Sequence, residues 1–198
     1  MRLSPRIYLL IIAAMFLLPL LLAWFMYSGT IAYKPASTRN LGQLVEPPLP
    51  TSWEGIEIVD GEGQFTGAAG EELAKHWVIL QPVPQSCDDA CEQQVTQLRQ
   101  IHRAAGRNQS RVRVALLLAA STPAETTRQV QQIYTEFKLL RSRDGSLQSV
   151  MDKTGETADA TYLLDPLGNI MMVYAAGTDP NYLKKDLKRL LTWSKLDE

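Results

Sequence analysis

Residues 7–27 read IYLLIIAAMFLLPLLLAWFMY, one uncharged and almost wholly apolar run. A helix rising about 1.5 Å per residue crosses the roughly 30 Å hydrocarbon core of a bilayer in about 20 residues, so this stretch is long enough to span. It divides the chain before any other feature is considered. Residues 1–6 form a short cytoplasmic N-terminus, 7–27 a transmembrane helix, 28–52 an extracytoplasmic tether and 53–198 a folded domain. Arg2 and Arg6 precede the run, whereas Trp24, Phe25 and Tyr27 gather at its far end like the aromatic belt of a membrane interface. Lys34 and Arg39 weaken the charge bias, but no second apolar run competes with it. The expected arrangement is therefore a single pass through the inner (cytoplasmic) membrane, with lipid as a partner of the helix and the C-terminal domain in the periplasm. A cleaved secretory signal would have a shorter apolar core and a small-x-small cleavage site after it, so the run reads as an uncleaved anchor. Pro19 within it needs no function, because membrane helices tolerate a lone proline.

Beyond the anchor there is room for one core rather than two, since the whole chain has 198 residues. The formal net charge of -1 supplies no basic face, so no nucleic-acid partner is expected. Residues 34–51, KPASTRNLGQLVEPPLPT, are rich in Pro, Ser and Thr and lack periodicity, which suits an extended tether.

The domain itself reads as α/β. Ile56–Val59 and residues 64–66 flank the turn Asp60-Gly61-Glu62-Gly63 as a hairpin. Residues 77–80 and 112–118 are short continuous apolar runs, as expected of central strands buried on both faces. Between them Val95, Leu98, His102 and Ala105 recur at spacings of three and four, which predicts a helix over 88–105 ending at Gly106. A second helix is predicted from the Ser121-Thr122-Pro123 start, with Ser or Thr as its cap, to about Phe137. Residues 161–164 and 170–174 flank the turn Asp165-Pro166-Leu167-Gly168-Asn169 as another hairpin. A C-terminal amphipathic helix over 181–193 carries Leu183, Leu187, Leu190 and Leu191 on one side.

The chain has two cysteines, too few for a disulfide framework, and both stand within five positions of each other. Cys87 and Cys91 lie just past a predicted central strand, at the start of the next helix. In an open α/β sheet that is the carboxyl end of the strands, where functional groups collect. A separation of four residues on a helix puts the side chains on neighbouring turns, close enough for a disulfide or for sharing one soft metal ion. A purely stabilising bridge would gain little from so small a loop, because the entropic benefit rises with loop length. The positive end of the helix favours a thiolate, while Asp88, Asp89 and Glu92 oppose it by like charge.

The anchor, the tether, the strand leading into a C-x-x-x-C pair and the late segment Tyr162-Leu163-Leu164-Asp165-Pro166-Leu167-Gly168 together resemble the Sco/SenC family. These are membrane-anchored proteins of thioredoxin fold involved in assembling the copper centre of cytochrome c oxidase. The resemblance implies a thioredoxin-like α/β fold, Cys87 and Cys91 as site residues, copper as a cofactor, and a cytochrome c oxidase subunit or another copper or thiol assembly protein as partner. In that family a histidine shortly before the late tyrosine completes the copper site, and each cysteine is followed by proline. Here residues 155–161 read GETADAT, without histidine, and Asp88 and Glu92 replace the prolines, so the chain reads as a divergent member.

No other soft or imidazole ligand takes the vacant place. His76 precedes Cys87 by eleven residues at the opposite end of a strand, which puts it well over about 10 Å away. His102 lies eleven residues beyond Cys91, about 16 Å along a helix. They read as a strand-edge and a helix-face residue. Met171 and Met172 alternate in a strand, so one of them packs in the core. Three functions stay open: oxidase assembly by Cu(I) handling or thiol reduction through Cys87 and Cys91, metal-independent thiol-disulfide oxidoreduction, and an anchored adaptor with a vestigial site.

Overall fold

In the computed structural model, which describes residues 4–28, 39–156 and 159–194 and the side chains of all of these but Met26 and Tyr27, the apolar run forms one helix, α1 (Pro5–Tyr27). It is long and apolar enough to cross a membrane, and it passes through Pro19 without interruption. Its large apolar side chains, Leu9, Met15 and Phe16 among them, are exposed. Arg2, the Tyr27 side chain, residues 29–38 of the expected tether, Lys34 among them, and residues 157–158 lie outside the described residues.

The chain divides into two compact units, Met1–Arg39 and Asn40–Glu198. The second holds an eight-stranded sheet with strands β1 (Gln43–Pro50), β2 (Ile56–Val59), β3 (Phe65–Ala68), β4 (Trp77–Val83), β5 (Val112–Leu118), β6 (Lys138–Ser142), β7 (Thr161–Leu164) and β8 (Asn169–Tyr174). Their spatial order is β1-β8-β7-β4-β5-β6-β2-β3. The two runs expected to be central are the middle pair, parallel and in register from Trp77 opposite Val112 to Val83 opposite Leu118. β6 extends the parallel part beyond β5. The remaining neighbours pair antiparallel, including both expected hairpins.

Alternation along the strands splits the core between the two faces. Ile79, Val83, Val114, Leu116 and Leu163 pack under three helices, α3 (Asp89–Ala104), α4 (Ala124–Ile133) and α6 (Pro180–Trp193). Val78, Leu80, Ala115, Leu140 and Tyr162 pack on the opposite side against α2 (Ala69–Leu73) and α5 (Ser146–Asp152). Each fully buried aliphatic chain contributes about 1.5–3 kcal/mol, so these two layers are the main stabilising term. The β7–β8 turn is fixed locally: Asp165 Oδ1 accepts from the backbone N–H of Leu167 and Asn169, and Gly168 takes φ +86°, where a side chain would be strained.

Two expectations need correction. The folded part begins not near residue 53 but with β1, so residues 43–50 of the expected tether belong to the sheet. β1 is an edge strand beside β8, and its register breaks between Leu44 and Leu49, across Pro47 and Pro48. Proline lacks the N–H a central ladder needs but is accepted at an edge, which is why a Pro-rich, non-alternating segment still forms a strand. The second helix is shorter than predicted. Its N-cap is Pro123, without a side-chain cap, because the Ser121 hydroxyl instead accepts from Gln85 Nε2 at 2.6 Å. It stops at Ile133 because Tyr134 turns into the core to meet His102. The α2, β6 and α5 elements carry weak periodicity and were not anticipated.

Candidate functional site

β4 ends at Val83, and the chain then runs through Pro84, Gln85 and Ser86 to Cys87 and on to the first turn of α3. Asp88 caps that helix: its Oδ1 accepts from Cys91 N–H at 3.0 Å, satisfying one of the donors a helix leaves unpaired at its start. Cys87 stands just before the cap and Cys91 in the first turn, with their Cα atoms 5.2 Å apart, and they are joined in a disulfide. Of the two pairings left open by the spacing, the structure shows this one. Both cysteines sit at the edge of the core layer under α3. Among the described residues no group of three or more His, Cys, Asp or Glu side chains gathers to hold a metal ion.

The loop carrying Cys87 is held from α4. Gln129 Nε2 donates to the Cys87 carbonyl at 3.1 Å and to Glu92 Oε1 at 2.7 Å, while the Thr126 hydroxyl donates to the Gln85 carbonyl at 2.9 Å. The carboxylates of Asp88 and Glu92, expected from the sequence to repel a thiolate, thus direct part of their acceptor capacity to the Cys91 N–H and to Gln129.

On the other side of α3 lies a cleft of about 580 Å³. Pro84, Ser86 and Asp88 around Cys87 line its upper end, Cys91, Gln94 and Leu98 the α3 side, Asp159 and Thr161 the floor, and Tyr174 with residues 175–180 the far side. Its floor is set by a buried polar hub in the central strand. Gln81, 1% exposed, accepts at Oε1 from Gln94 Nε2 (3.0 Å) and from the Thr161 hydroxyl (2.5 Å), and donates to the Asp159 carbonyl. Gln94 donates to that same carbonyl. The segment just before β7, where the Sco/SenC resemblance places its histidine, is thereby pinned beside α3. Tyr174 closes the inner end: its hydroxyl donates to buried Asp186, and burial, reinforced by the Asp186 charge, pushes the phenol well above its usual range, so it stays a donor.

The histidines are elsewhere. His76 lies in the turn before β4, with Nδ1 2.8 Å from the Ala74 carbonyl. His102 is on the periodic face of α3, as expected, and that face is buried: Nε2 donates to the Val112 carbonyl at 3.1 Å, and Nδ1 accepts from the Tyr134 hydroxyl at 3.1 Å. Burial lowers its pKa, so it is a neutral tie between α3, β5 and the end of α4. Met172 is buried and Met171 half-buried, as alternation predicts. The residues that shape the site and were not foreseen are Gln81, Gln94, Gln129 and Thr161. Only Gln81 left a signal, a polar residue interrupting an apolar central strand.

A family model described as the transmembrane-like, thioredoxin-like, C-terminal domain matches residues 77–194, more than half of the chain. No curated protein sequence matches it. Among solved structures, apo Sco1 from Thermus thermophilus is similar at TM-score 0.58 and 16% identity, over 79% of this chain and 99% of that one. Copper-bound yeast Sco1 is similar at 0.54 and 12%, over 80% and 96%. Copper-bound ScoI from Arabidopsis thaliana is similar at 0.54 and 13%, over 72% and 100%. At these identities the likeness is one of fold: the mixed α/β, thioredoxin-like sheet expected from the sequence.

Proposed function

Because the chain belongs to the family of transmembrane-like, thioredoxin-like C-terminal domains, we propose that it is a membrane-anchored thiol-disulfide exchange protein. Its domain works outside the cytoplasm, where its dithiol keeps the copper-ligand cysteines of a cytochrome c oxidase subunit, or of another assembly protein, reduced. The observation that carries this reading is the Cys87–Cys91 disulfide at the N-terminus of α3, closed by a short loop and opening on a cleft. A reduced pair supplies two electrons: one thiolate attacks the partner's disulfide, the second displaces the partner, and the pair ends as the disulfide seen here. The likeness to Sco structures supports the choice of partner, and α1 supports the placement at a membrane. The test uses the full chain in detergent micelles, reduced and freed of reductant, mixed with a disulfide-form peptide bearing two copper-ligand cysteines. Stoichiometric release of peptide thiols, lost in the Cys87→Ser, Cys91→Ser double variant, is the expected result. Absence of release at any ratio would remove the reading and leave Cu(I) delivery or the adaptor, in the last of which those substitutions change nothing.

A second reading, delivery of Cu(I) as cargo, is favoured by one observation: two soft sulfur donors stand one turn apart at a helix start. The donor set does not form the three-ligand site of the Sco/SenC resemblance among the described residues, so no step is drawn through bound copper. Anaerobic titration of the reduced full chain with Cu(I) against a competing chelator separates the readings. Cysteine-dependent one-to-one binding supports delivery, and binding no tighter than that of the double variant removes it.

A further inference from the structure

The last helix, α6, has two unlike faces. Leu183, Leu187 and Leu191 are buried in the core, whereas Lys184, Lys185 and Lys188 are exposed, and the one acidic residue of the helix, Asp186, is buried. Tyr182, 38% exposed, and Trp193, 85% exposed, stand four residues before and seven after Asp186, on its stripe of the helix. Basic side chains with aromatic rings beside them on an exposed helix face are the composition that lies at lipid headgroups.

That stripe is also where the chain coming from α1 joins the domain, because Asp186 Oδ2 accepts from the Leu41 and Gly42 N–H groups. Residues 29–39 connect the end of α1 to Asn40, and at 3.3–3.6 Å per residue they reach at most about 40 Å. Resting on the membrane anchoring proposed above, we infer that α6 is a docking surface for the bilayer that holds α1: its lysines meet anionic phospholipid headgroups, and Trp193 and Tyr182 enter the interface. A hollow of about 310 Å³ beside the lysines fits the same occupant. Its floor is Ile101, Leu187 and Leu191 and its rim Arg107, Lys184 and Lys188, apolar below and cationic above, as the glycerol and phosphate of an anionic lipid require. The loop that leads into α6, residues 175–179, is one side of the cysteine cleft. Docking therefore holds the Cys87–Cys91 pair close to the headgroups, where partner segments emerge from the same bilayer.

The full chain is placed in lipid nanodiscs of phosphatidylcholine alone, or of phosphatidylcholine with an equal part of phosphatidylglycerol, both carrying brominated acyl chains as a collisional quencher. Subtracting the emission of the Trp193→Phe chain isolates this ring from Trp24, Trp53 and Trp77. Trp193 is expected to be quenched in the anionic discs and not in the neutral ones, and less so as salt is raised. Each basic side chain near an anionic surface strengthens binding about fivefold. Lys184→Gln, Lys185→Gln and Lys188→Gln together should thus weaken docking about hundredfold and abolish the quenching, with circular dichroism unchanged. Every one of these chains keeps α1 and stays in the discs whether or not the domain docks. Trp193 unquenched in anionic discs, or quenched equally in both lipids and after the triple substitution, would overturn the docking and leave the anchor standing. A chain that separates from the discs on flotation would remove the anchoring and this inference with it.

Discussion

Replacing Asp186 by alanine tests how the first strand is joined to the rest of the domain. Asp186 lies on α6 and is 2% exposed; its Oδ2 accepts from Leu41 N–H at 2.7 Å, Gly42 N–H at 2.9 Å and the Tyr174 hydroxyl at 3.1 Å. Each charge-assisted bond of this kind contributes about 1.5–3 kcal/mol, and a buried donor left without its acceptor costs a comparable amount. The Leu41 amide is only partly buried and regains water, so the loss falls mainly on Gly42 and Tyr174. Arg189 adds little, because its guanidinium is half exposed. The expected cost of Asp186→Ala is therefore about 3–5 kcal/mol, which for a domain of this size lowers Tm by about 10 °C. Asp186→Asn keeps an acceptor but not the charge, and costs about 1–2 kcal/mol. Urea unfolding of the full chain in micelles, monitored by near-UV circular dichroism, gives the stabilities. Hydrogen exchange at the Leu41 and Gly42 amides reads the clamp itself. An alanine variant within about 1 kcal/mol of the wild type, with those amides still protected, would refute the reasoning.

Gly42→Ala strikes the same clamp from the other side: a Cβ there would stand 2.5 Å from the Tyr174 ring, so a loss of about 1–3 kcal/mol is expected in the same urea assay, and an unchanged midpoint would count against the packing. His102 has its pKa lowered chiefly by burial, so the unfolded chain takes up its proton first as pH falls. The stability this group contributes is present above about pH 6.5 and lost as pH drops through its lower native pKa; His102→Gln should flatten that part of the urea midpoint against pH curve, and an identical slope would argue against a neutral buried ring. Reducing the disulfide opens a loop of about five residues, for which the chain-entropy estimate is about 2 kcal/mol, so the reduced chain should melt as a folded domain a few degrees lower. Melting of the reduced chain without a cooperative transition would contradict the dithiol mechanism. Gln129→Ala frees the Cys87 carbonyl and should raise glutathione exchange at the pair without a large change in Tm; equal exchange rates would show that the α4 tie does not limit access.

Features written in local pattern were legible without coordinates. An uncharged run of bilayer length specifies its helix by itself, because no tertiary partner is needed to satisfy its backbone. The apolar runs of β4 and β5, the periodic face of α3 and the Asp-Pro-x-Gly turn before β8 each carry enough local signal to fix type and approximate bounds. The position of Cys87 and Cys91 at the end of a central strand can be inferred from those elements alone.

The rest was decided by partners far away in sequence. β1 is a strand because Gln43 and Leu44 find Val173 and Met172, and because Asp186, well over a hundred residues on, takes the Leu41 and Gly42 amides. α4 ends at Ile133 because Tyr134 bonds a histidine of α3. The cleft exists only where α3, the segment before β7 and the end of β8 converge. Sequence determined the strongly patterned elements, the anchor-like helix and the cysteine pair, because those depend on neighbours along the chain. Folding decided the edge strand, the buried glutamine hub and the cleft beside the cysteine pair, because those depend on neighbours in space.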